Sequence, residues 1–444
     1  MCAAGRSTFG FRPPAPLWHP PGMPIVVQKY GGSSVADLPR IRRIAEEVVA
    51  RKRAGYDVAV VVSAMGKTTD QLLALARELS ASPPRRELDM MLSTGERVTM
   101  ALLSIAIHEL GEEAISFTGS QAGITTNDRH ADARIIEVRP FRVQDELARG
   151  RVVIVAGFQG VSYKREVTTL GRGGSDTTAV ALAAALGAEA CEIHSDVDGV
   201  YSADPRVVSA ARHLPEISYA EMQEMAQAGA KVMNAQAVEF AKQAGIAIYA
   251  RASFQPGRET VIRKGAPVEE YTPRAVVSSK NIVRVRMIGQ ASSARLAEVL
   301  ALVERHQIPL REVSFASPPS TPAWSRASFL IPMENAVNYP RFREELSALL
   351  GAAVELDEHL GAVSVIGEGI MRDEKVLLAS LVRAERLGVP LEGLSTTAFR
   401  ISLLVPLGDV ERLVRDLHAA LIEVHEPVVA GGGVRLQEEG GGER

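Results

Sequence analysis

Runs of β-branched residues alternate with helical patterns from residue 25 to about residue 265, and this alternation limits the possible fold more than any other feature. Five runs dense in valine and isoleucine are predicted as buried strands: residues 25–28, 58–63, 152–156, 190–194 and 246–249. Between the strands, apolar residues recur at helical spacing, as in 41–49 and 222–233. The pattern predicts an α/β fold with a mainly parallel sheet sandwiched by helices. In such sheets, ligands bind at the carboxyl ends of the strands.

The chain changes character after residue 265, where a polar segment containing proline precedes two similar units. Residues 308–314 (IPLREVS) match 389–395 (VPLEGLS), and residues 285–289 (VRMIG) match 363–367 (VSVIG). Each unit is predicted as strand, helix, strand, strand, helix, which is an α+β repeat. Such repeats usually pair side by side in one joint sheet. Two roles stay open for them: a dimerisation module or a small-molecule sensor.

These patterns divide the chain into six predicted segments. They are a flexible N-terminal extension at 1–23, an α/β domain at 24–265, a linker at 266–280, a first repeat at 281–358, a second repeat at 359–436 and a flexible tail at 437–444. The extension is rich in proline and glycine and lacks the continuous apolar region of a secretion signal. We therefore expect Met23 to be the functional start.

Charge and cysteine content exclude several classes of protein. The formal net charge of −3 argues against a nucleic-acid-binding surface as the main role. The two cysteines, Cys2 and Cys191, imply no disulfide framework, which fits a reducing cytoplasm. No uninterrupted apolar stretch is long enough to cross a bilayer, so we expect a cytoplasmic protein without a membrane partner.

The segment TTLGRGGSDTTA, at residues 168–179, contains the strongest chemical signal. Arg172 lies inside a glycine-rich turn, and Ser175 and Asp176 precede an alanine-rich helical run that Gly187 ends. Glycines let backbone amides approach an anion, and a helix N-terminus carries partial positive charge. An arginine adds a planar fork that fits a carboxylate or phosphate. The combination is suited to phosphoryl transfer onto an acidic substrate.

Three further segments follow predicted strands or open predicted helices. Residues 29–35 (KYGGSSV) place a lysine before a glycine pair, which suits phosphate binding but is also typical of a plain turn. The hydroxyl groups of residues 62–70 (VSAMGKTTD) either cap a helix beginning near Asp70 or bind a small polar substrate. Glu96, in the first turn of a predicted helix, either stabilises that helix through its dipole or binds a substrate ammonium.

Residues 195–206 (SDVDGVYSADPR) follow a predicted strand and gather three acids, a tyrosine and an arginine. Asx turns explain one or two of these acids. The spacing does not fit a calcium-binding loop, and no bidentate glutamate closes it. Lys231 interrupts a predicted helical run, where it either extends into solvent or reaches a nucleotide phosphate.

Together, these motifs and their order resemble the aspartate kinases of the amino acid kinase family. The resemblance covers nearly all of residues 25–440, and RASFQPGRET at 251–260 resembles the segment that closes the catalytic domain of that family. The two repeats resemble paired ACT domains, which have a ferredoxin-like fold. The resemblance implies ATP-dependent phosphorylation of the side-chain carboxylate of L-aspartate to 4-phospho-L-aspartate, the entry step to lysine, threonine and methionine. It also implies a homo-oligomer formed through the repeats.

The resemblance assigns roles to individual residues. The catalytic set is Lys29, Arg172 and Asp176. The aspartate-binding set is Ser63, Thr69, Glu96, Arg172, Gly173, Gly174 and Ser175. The ATP-binding set is Lys29, Tyr30, Gly31, Gly32, Ser33, Ser195, Asp196, Tyr201, Arg206, Lys231 and Val232. No protein ligand set is expected for a metal, because Mg²⁺ would be held through the ATP phosphates.

The residues themselves support this division. A zwitterionic substrate with two carboxylates needs an arginine-type clamp and an acid, which Arg172 and Glu96 supply. A carboxylate nucleophile is already ionised at neutral pH, so no general base is required. Two alternatives stay open: an amino-acid sensor without catalysis, and a sister kinase for glutamate or acetylglutamate. The second differs by one methylene, a discrimination worth only about 1–3 kcal/mol in a pocket.

The repeats depart from the family pattern in their ligand loops. The family usually has a Pro-Gly pair ahead of each first helix, whereas residues 289–293 (GQASS) and 369–374 (GIMRDE) contain none. Residues 395–400 (STTAFR) also lack an acid that is common near Ala398. We therefore expect repeats that pair subunits but bind lysine or threonine weakly or not at all.

Overall fold

The computed structural model describes residues 23–80, 82–255, 257–265, 272–288, 292–316, 326–336, 338–372 and 374–423. The predicted tail, and all of the predicted extension except Met23, lie outside the described residues. So do Cys2, residues 289–291 and 373 of the two ligand loops, and residues 266–271 of the predicted linker.

The N-terminal part of the chain alternates strands and helices as the sequence pattern predicts. Its elements are β1 (Ile25–Tyr30), α1 (Leu38–Arg53), β2 (Asp57–Val62), α2 (Thr68–Leu79), α3 (Arg85–Leu92), α4 (Thr94–Glu109), β3 (Ala114–Phe117), β4 (Ile124–Thr126), β5 (Ile135–Val138), α5 (Phe141–Ala148), β6 (Val152–Ala156), β7 (Gln159–Ser162), β8 (Val167–Thr169), α6 (Gly174–Leu186), β9 (Ala190–Ser195), β10 (Val200–Tyr201), β11 (His213–Leu214), β12 (Glu216–Ser218), α7 (Tyr219–Ala228), α8 (Ala235–Ala244), β13 (Ile248–Ala252) and β14 (Glu259–Arg263).

One eight-stranded sheet, in the order β12-β14-β13-β9-β1-β2-β6-β3, forms the centre of this part. Its strand pairs are parallel except for β13 with β14. Alternate side chains of β1 enter two separate cores: Val27 packs with α5, α6, α7 and α8, whereas Val26 packs with α1 and α4. The predicted α/β sandwich is thereby confirmed, and both faces of the sheet are buried because both are covered by helices.

A smaller four-stranded sheet, in the order β5-β4-β7-β8, lies beside the central one. Its last strand, β8, ends directly before the glycine-rich turn that contains Arg172. The turn therefore follows a strand of the small sheet, whereas the sequence analysis expected it at the edge of the central sheet. The helix after it, α6, returns the chain to the central sheet and packs on β1, β2 and β9.

The C-terminal part contains the two repeats. Its elements are β15 (Ala275–Ser279), β16 (Ile282–Ile288), α9 (Ser293–His306), β17 (Arg311–Ala316), β18 (Arg326–Pro332), α10 (Tyr339–Leu350), β19 (Val354–Asp357), β20 (Leu360–Ile366), α11 (Lys375–Arg386), β21 (Gly393–Thr396), β22 (Arg400–Pro406) and α12 (Val410–His418). Each repeat has the predicted order of strand, helix, strand, strand, helix. Their sheets have the orders β17-β18-β16-β19 and β15-β20-β22-β21.

The strand β15 differs from the sequence-based division of the chain. It lies inside the predicted linker 266–280, yet it pairs antiparallel with β20 over the full length Ala275–Ser279. The second repeat thus receives an edge strand from ahead of the first repeat. This pairing joins residues that are almost ninety positions apart, which local sequence patterns do not reveal.

The helical run predicted around Lys231 is also interrupted in the structure. The helix α7 ends at Ala228, where Gly229 adopts the left-handed backbone conformation with φ of 115°. The next helix, α8, begins at Ala235 with Asn234 as its N-cap. Lys231 and Val232 therefore lie in the loop between two helices, and Lys231 is exposed.

The segment Arg85–Glu109 is long and apolar enough to cross a membrane by length and composition alone. In the fold it comprises α3 and α4, and half of its most apolar window is buried inside the protein. A helical pair in a protein core passes the same test, so this segment is weak evidence for a membrane span.

Candidate active site

Lys29 lies near the carboxyl end of β1, on the face of the sheet that α6 covers. Its Nζ is 2.7 Å from the Oδ1 of Asp176, which occupies the first turn of α6. Both side chains are nearly buried, with exposed fractions of 11% and 12%. This ion pair holds the lysine ammonium in one place, as the stabilisation of a transferring phosphoryl group requires.

The loops after β1, β2 and β9 meet at one edge of the sheet. The Gly31 amide donates to the His194 carbonyl at 3.2 Å, and the Gly66 amide donates to the Gly32 carbonyl at 3.0 Å. A side chain at Gly32 would place its first carbon 3.0 Å from the Ala64 carbonyl oxygen. Glycine at position 32 therefore lets the loop after β1 and the loop after β2 approach each other this closely.

Tyr30, predicted to bind ATP, projects to the opposite face of the sheet from Lys29. Its ring is fully buried and stacks on His194 with ring centroids 4.6 Å apart. Burial raises the pKa of its hydroxyl well above the usual value. The side chain of Tyr30 therefore points away from the loop edge, because adjacent residues of a strand face opposite sides.

Glu96 occupies the first turn of α4, as predicted, and is 2% exposed. Its Oε1 accepts a hydrogen bond from the Ala64 amide at 3.1 Å, whereas its Oε2 has no hydrogen-bond partner. Burial raises the pKa of this carboxyl to about 7. A buried carboxylate oxygen without a partner is suited to a cationic ligand. The predicted partners Ser63 and Thr69 are half-buried, Ser63 directly after β2 and Thr69 in the first turn of α2. Ser63 precedes Ala64, whose amide binds the Glu96 carboxylate.

Arg172 lies in the glycine-rich turn between β8 and α6. Its side chain is exposed, and its Nε donates to the carbonyl oxygen of Glu334 in the first repeat at 3.2 Å. Its own carbonyl accepts a hydrogen bond from the side-chain amide of Asn234 at 2.8 Å. In this conformation the guanidinium faces the first repeat.

The residues after Arg172 form the N-terminus of α6. Gly173 is the N-cap and has a positive φ of 72°, and Gly174 and Ser175 follow in the first turn. A side chain at Gly173 would place its first carbon 2.6 Å from the side chain of Asn234. The positive φ and the close approach explain why glycine occupies this position. The amides of Gly174 and Asp176 already donate, to the carbonyls of Gly171 and Gly173, so the helix end attracts an anion mainly through its partial positive charge.

The predicted nucleotide residues of 195–206 form a charged cluster with Lys231. The Arg206 guanidinium is 2.8 Å from the Asp204 carboxylate, and the charge of Lys231 also helps to hold the pKa of Asp204 below its usual range. Asp196 contributes to the raised pKa of Arg206. The Tyr201 hydroxyl donates to Asp198 at 2.7 Å. Three of the predicted residues, Asp196, Arg206 and Lys231, are thus brought near one another around Asp204, whereas Tyr201 contacts Asp198.

The structure adds residues that the sequence analysis did not select. Ser253 donates from its backbone amide to the Ser195 carbonyl at 2.8 Å, and its hydroxyl lies beside that of Ser34. Asn234 holds the Arg172 turn through the Arg172 carbonyl and caps α8. No spacing signal identifies these residues, because each acts on a segment far away in the chain.

A metal ion has no ready-made ligand set in the part of the chain that the structure describes. No group of three or more histidine, cysteine, aspartate or glutamate side chains is placed to hold one there. Asp176, the acid closest to Lys29, is already paired with that lysine. A divalent cation at this edge would therefore depend on ligands that a bound substrate brings.

Comparison with known proteins places these features in context. Residues 24–250 match the model of the amino acid kinase family. An aspartokinase of Mycolicibacterium smegmatis is 44% identical over 408 residues, which cover 90% of this chain and 96% of that protein. An aspartokinase of Corynebacterium glutamicum is 43% identical over 407 residues, which cover 89% and 96%.

Solved structures show the same similarity to aspartokinases. E. coli aspartokinase III in complex with aspartate and ADP, in its R-state, has a TM-score of 0.76 at 28% identity, covering 89% of this chain and 99% of that one. The T-state of the same enzyme, in complex with lysine and aspartate, has a TM-score of 0.67 at 27% identity, covering 90% and 99%. The chain is thus similar to these proteins over both the α/β part and the repeats.

Proposed function

Because this chain belongs to the amino acid kinase family, and within it to the aspartokinases, we propose that it transfers the γ-phosphoryl group of ATP to the side-chain carboxylate of L-aspartate. The product is 4-phospho-L-aspartate, the first intermediate toward lysine, threonine and methionine. The observation that most supports this function is the ion pair of Lys29 and Asp176 at the N-terminus of α6, next to the loop edge that holds Glu96.

Lys29 acts on the phosphates in this proposal. Its ammonium, held by Asp176, neutralises the charge that develops on the transferred group. The Gly32 amide binds a phosphate oxygen, and Gly31, whose amide donates to the His194 carbonyl, holds the loop in place beside the phosphates. Ser33, which follows this glycine pair, belongs to the same loop. The cluster of Arg206, Asp196, Tyr201 and Lys231 binds the rest of the nucleotide, together with Ser195 and Val232. Mg²⁺ enters with ATP as part of the substrate, because the described residues provide no ligand set for it.

Glu96 and Arg172 bind the two ends of aspartate. The unpartnered Oε2 of Glu96 accepts the substrate ammonium, supported by Ser63 and Thr69. Arg172 takes a substrate carboxylate with its guanidinium, next to the turn of residues 173–175 at the N-terminus of α6. The attacking carboxylate is ionised at neutral pH, so catalysis consists of positioning and charge neutralisation without a general base.

A hydroxamate assay tests this function directly. The purified enzyme is incubated with MgATP, hydroxylamine and either L-aspartate or L-glutamate, and acyl-phosphate formation is followed as coloured hydroxamate. We expect hydroxamate with aspartate and at least tenfold less with glutamate. Equal or greater turnover of glutamate would favour a sister kinase, and no turnover of either would favour a sensor without catalysis.

We also propose that the enzyme is a cytoplasmic homo-oligomer that associates through its repeats. The strand β17 is at the edge of the first repeat's sheet, and Val313 and Phe315 on it are 49% and 42% exposed. An exposed edge strand with apolar side chains is a template for pairing with another strand. Analytical ultracentrifugation of the protein and of Val313→Lys tests this. A dimer or larger species that the substitution dissociates is the expected result.

A further inference from the structure

Three hydrogen-bonded side chains, two buried and the third partly exposed, connect the nucleotide segment to the last helix of the second repeat. The Ser202 hydroxyl is 2.8 Å from Nε2 of His418, and Nδ1 of His418 is 2.8 Å from a carboxylate oxygen of Glu423. Ser202 is 1% exposed and His418 is fully buried. Ser202 directly follows Tyr201, and His418 is the last residue of α12.

The proton positions among these three side chains follow from the carboxylate of Glu423. An ionised carboxylate only accepts hydrogen bonds, so the proton of a neutral His418 lies on Nδ1 and is donated to Glu423. Nε2 is then an acceptor, and it receives the hydroxyl proton of Ser202. The Ser202 oxygen in turn accepts a hydrogen bond from the Arg212 amide at 2.8 Å. All polar atoms of the buried pair are satisfied in this arrangement.

The order serine, histidine, acid also occurs in hydrolases, but a nucleophilic role does not fit here. A nucleophilic serine must meet its substrate, whereas Ser202 and His418 are both enclosed by protein. The residues that enclose them belong to one apolar core, shared between the segment after Tyr201 and α12: Ala203, Val208, Val410, Leu413, Val414, Leu417 and Ile422. The chain of side chains is therefore a structural link inside an interface.

Two backbone hydrogen bonds and one arginine side chain hold the same segment from its other sides. The Val276 amide of β15 donates to the Ser202 carbonyl at 2.7 Å, and the Ser202 amide donates to the Arg212 carbonyl at 2.8 Å. The Arg212 guanidinium donates to the Glu423 carbonyl at 3.0 Å. These contacts fix the path of the backbone. The Ser202–His418 hydrogen bond fixes the orientation of the Ser202 side chain, next to Tyr201.

We propose that His418 is a positioning residue for the nucleotide site, acting through Ser202 on Tyr201 and Arg206. The inference rests on the proposed function, because it takes residues 195–206 as part of the ATP site. His418 touches no substrate. It keeps the inner side of the segment in place, while the outer side presents the exposed Arg206 and Asp204. The nucleotide site is therefore completed by the last helix of the second repeat.

The test compares steady-state constants of Ser202→Ala, His418→Leu and His418→Gln with those of the wild-type protein. Alanine and leucine each remove the hydrogen bond and keep most of the apolar volume. We expect KM for MgATP to rise about three- to tenfold, the range of one net hydrogen bond, with kcat and KM for aspartate within twofold of wild type. Glutamine places an amide near the position of Nε2, so His418→Gln should recover most of the affinity for MgATP.

Ser380→Ala is the matched control. Ser380 is a fully buried serine of α11 in the same repeat, and its hydroxyl donates to the Val376 carbonyl of its own helix at 2.7 Å. It should leave KM for MgATP unchanged. The double variant Ser202→Ala/His418→Leu should have a KM for MgATP no higher than that of the more impaired single variant, because both substitutions remove the same hydrogen bond.

An unchanged KM for MgATP in folded Ser202→Ala would overturn the proposal. So would a parallel loss of kcat and of both substrate affinities, because that result indicates general structural damage. If His418→Leu does not fold, Ser202→Ala alone decides. Titration with a fluorescent ADP analogue measures the same affinity without turnover. It therefore separates a failure of this inference from a failure of the proposed reaction, which the wild-type hydroxamate assay detects.

Discussion

The carboxyl group of Glu96 combines deep burial with one free oxygen, and this combination gives the proposed aspartate site a specific pH dependence. Burial raises its pKa to about 7, so the group loses its charge as the pH falls below that value. A neutral carboxyl group no longer attracts the substrate ammonium. We therefore expect KM for aspartate to rise toward tenfold per pH unit below pH 7, while KM for MgATP stays nearly constant.

The variant Glu96→Gln checks this explanation. Glutamine still accepts from the Ala64 amide but has no charge to lose. Its KM for aspartate should be high and independent of pH between 6 and 8. A defect in MgATP affinity instead, or a remaining pH dependence of aspartate binding, would contradict the assignment of Glu96 to the substrate ammonium.

The same substitution should stabilise the protein at high pH. The folded-state pKa of Glu96 lies above the value of about 4.5 that it has when unfolded, so the folded state binds the proton more tightly and loses stability as the pH rises from 4.5 through 7. Above pH 7 the wild-type protein bears the full cost, up to about 3 kcal/mol for a shift of this size. Glu96→Gln should therefore melt at a higher temperature than wild type at pH 8, and the difference should vanish near pH 4.5.

Arg172 gives the sharpest test of substrate recognition. Replacement by alanine removes a charge-assisted contact to the substrate carboxylate, which should lower kcat/KM about 100-fold or more. The contact to the Glu334 carbonyl is lost as well, so the melting temperature should be recorded beside the kinetics. Full activity in Arg172→Ala would place the carboxylate clamp elsewhere.

The turn between β8 and α6 depends on a second element, the N-terminus of α8. Asn234 accepts from the Gln236 amide as the N-cap of α8 and donates to the Arg172 carbonyl at 2.8 Å. Replacement by alanine removes both contacts and should cost about 1 kcal/mol for the cap, with a further loss of aspartate affinity.

Asn234→Ser separates the two contributions. Serine caps helices well, but its hydroxyl is too short to reach the Arg172 carbonyl. We expect a melting temperature close to that of wild type together with the raised KM for aspartate of Asn234→Ala. If Asn234→Ser binds aspartate normally, the contact to Arg172 has no role in holding the turn.

One buried arginine connects the α/β part, the first repeat and the second repeat. Arg400 of β22 lies 3.3 Å from a carboxylate oxygen of Glu224 in α7 and 3.4 Å from one of Glu312 in β17, and its side chain is 9% exposed. Arg400→Met would leave both carboxylates without their shared cation. We expect a loss of about 2 kcal/mol in unfolding free energy, below the usual cost of breaking a fully buried pair because both acids are partly exposed.

Calorimetric melting of Arg400→Met measures this effect, with Arg305→Met as the control. Arg305 pairs with Glu345 at the surface, where both side chains are well exposed. Removal of that pair should change stability by no more than about 0.5 kcal/mol. Equal melting temperatures for the two variants would show that the repeats are not held to α7 through Arg400.

The ligand loop of the second repeat bears on feedback control of the whole enzyme. The amides of Ile370 and Arg372 already donate within the loop, to the carbonyls of Gly367 and Gly369. Amides used in this way do not serve a bound amino acid. We expect millimolar lysine plus threonine to change the rate of hydroxamate formation less than twofold, and strong inhibition would contradict this prediction.

Features that depend on residues close together in the sequence can be predicted from the sequence alone. The buried face of α1, with Ile41, Ile44 and Val48, follows from a 3.6-residue period, and the end of α6 follows from Gly187. The strand Val152–Ala156 has the predicted bounds. The motifs KYGG and TTLGRGGSD single out Lys29 and Asp176, which the fold pairs at 2.7 Å, because glycine-rich turns and helix N-termini are local structures.

Features that depend on distant contacts were not predictable in this way. The strand β15 joins the second repeat, Arg172 faces the first repeat, and His418 reaches Ser202 across 216 positions of the chain. Local residue propensities do not distinguish these three long-range arrangements from other arrangements of the same elements. The three arrangements are decided by packing, desolvation and long-range hydrogen bonds, whose free energies exist only once the chain has brought the partners together.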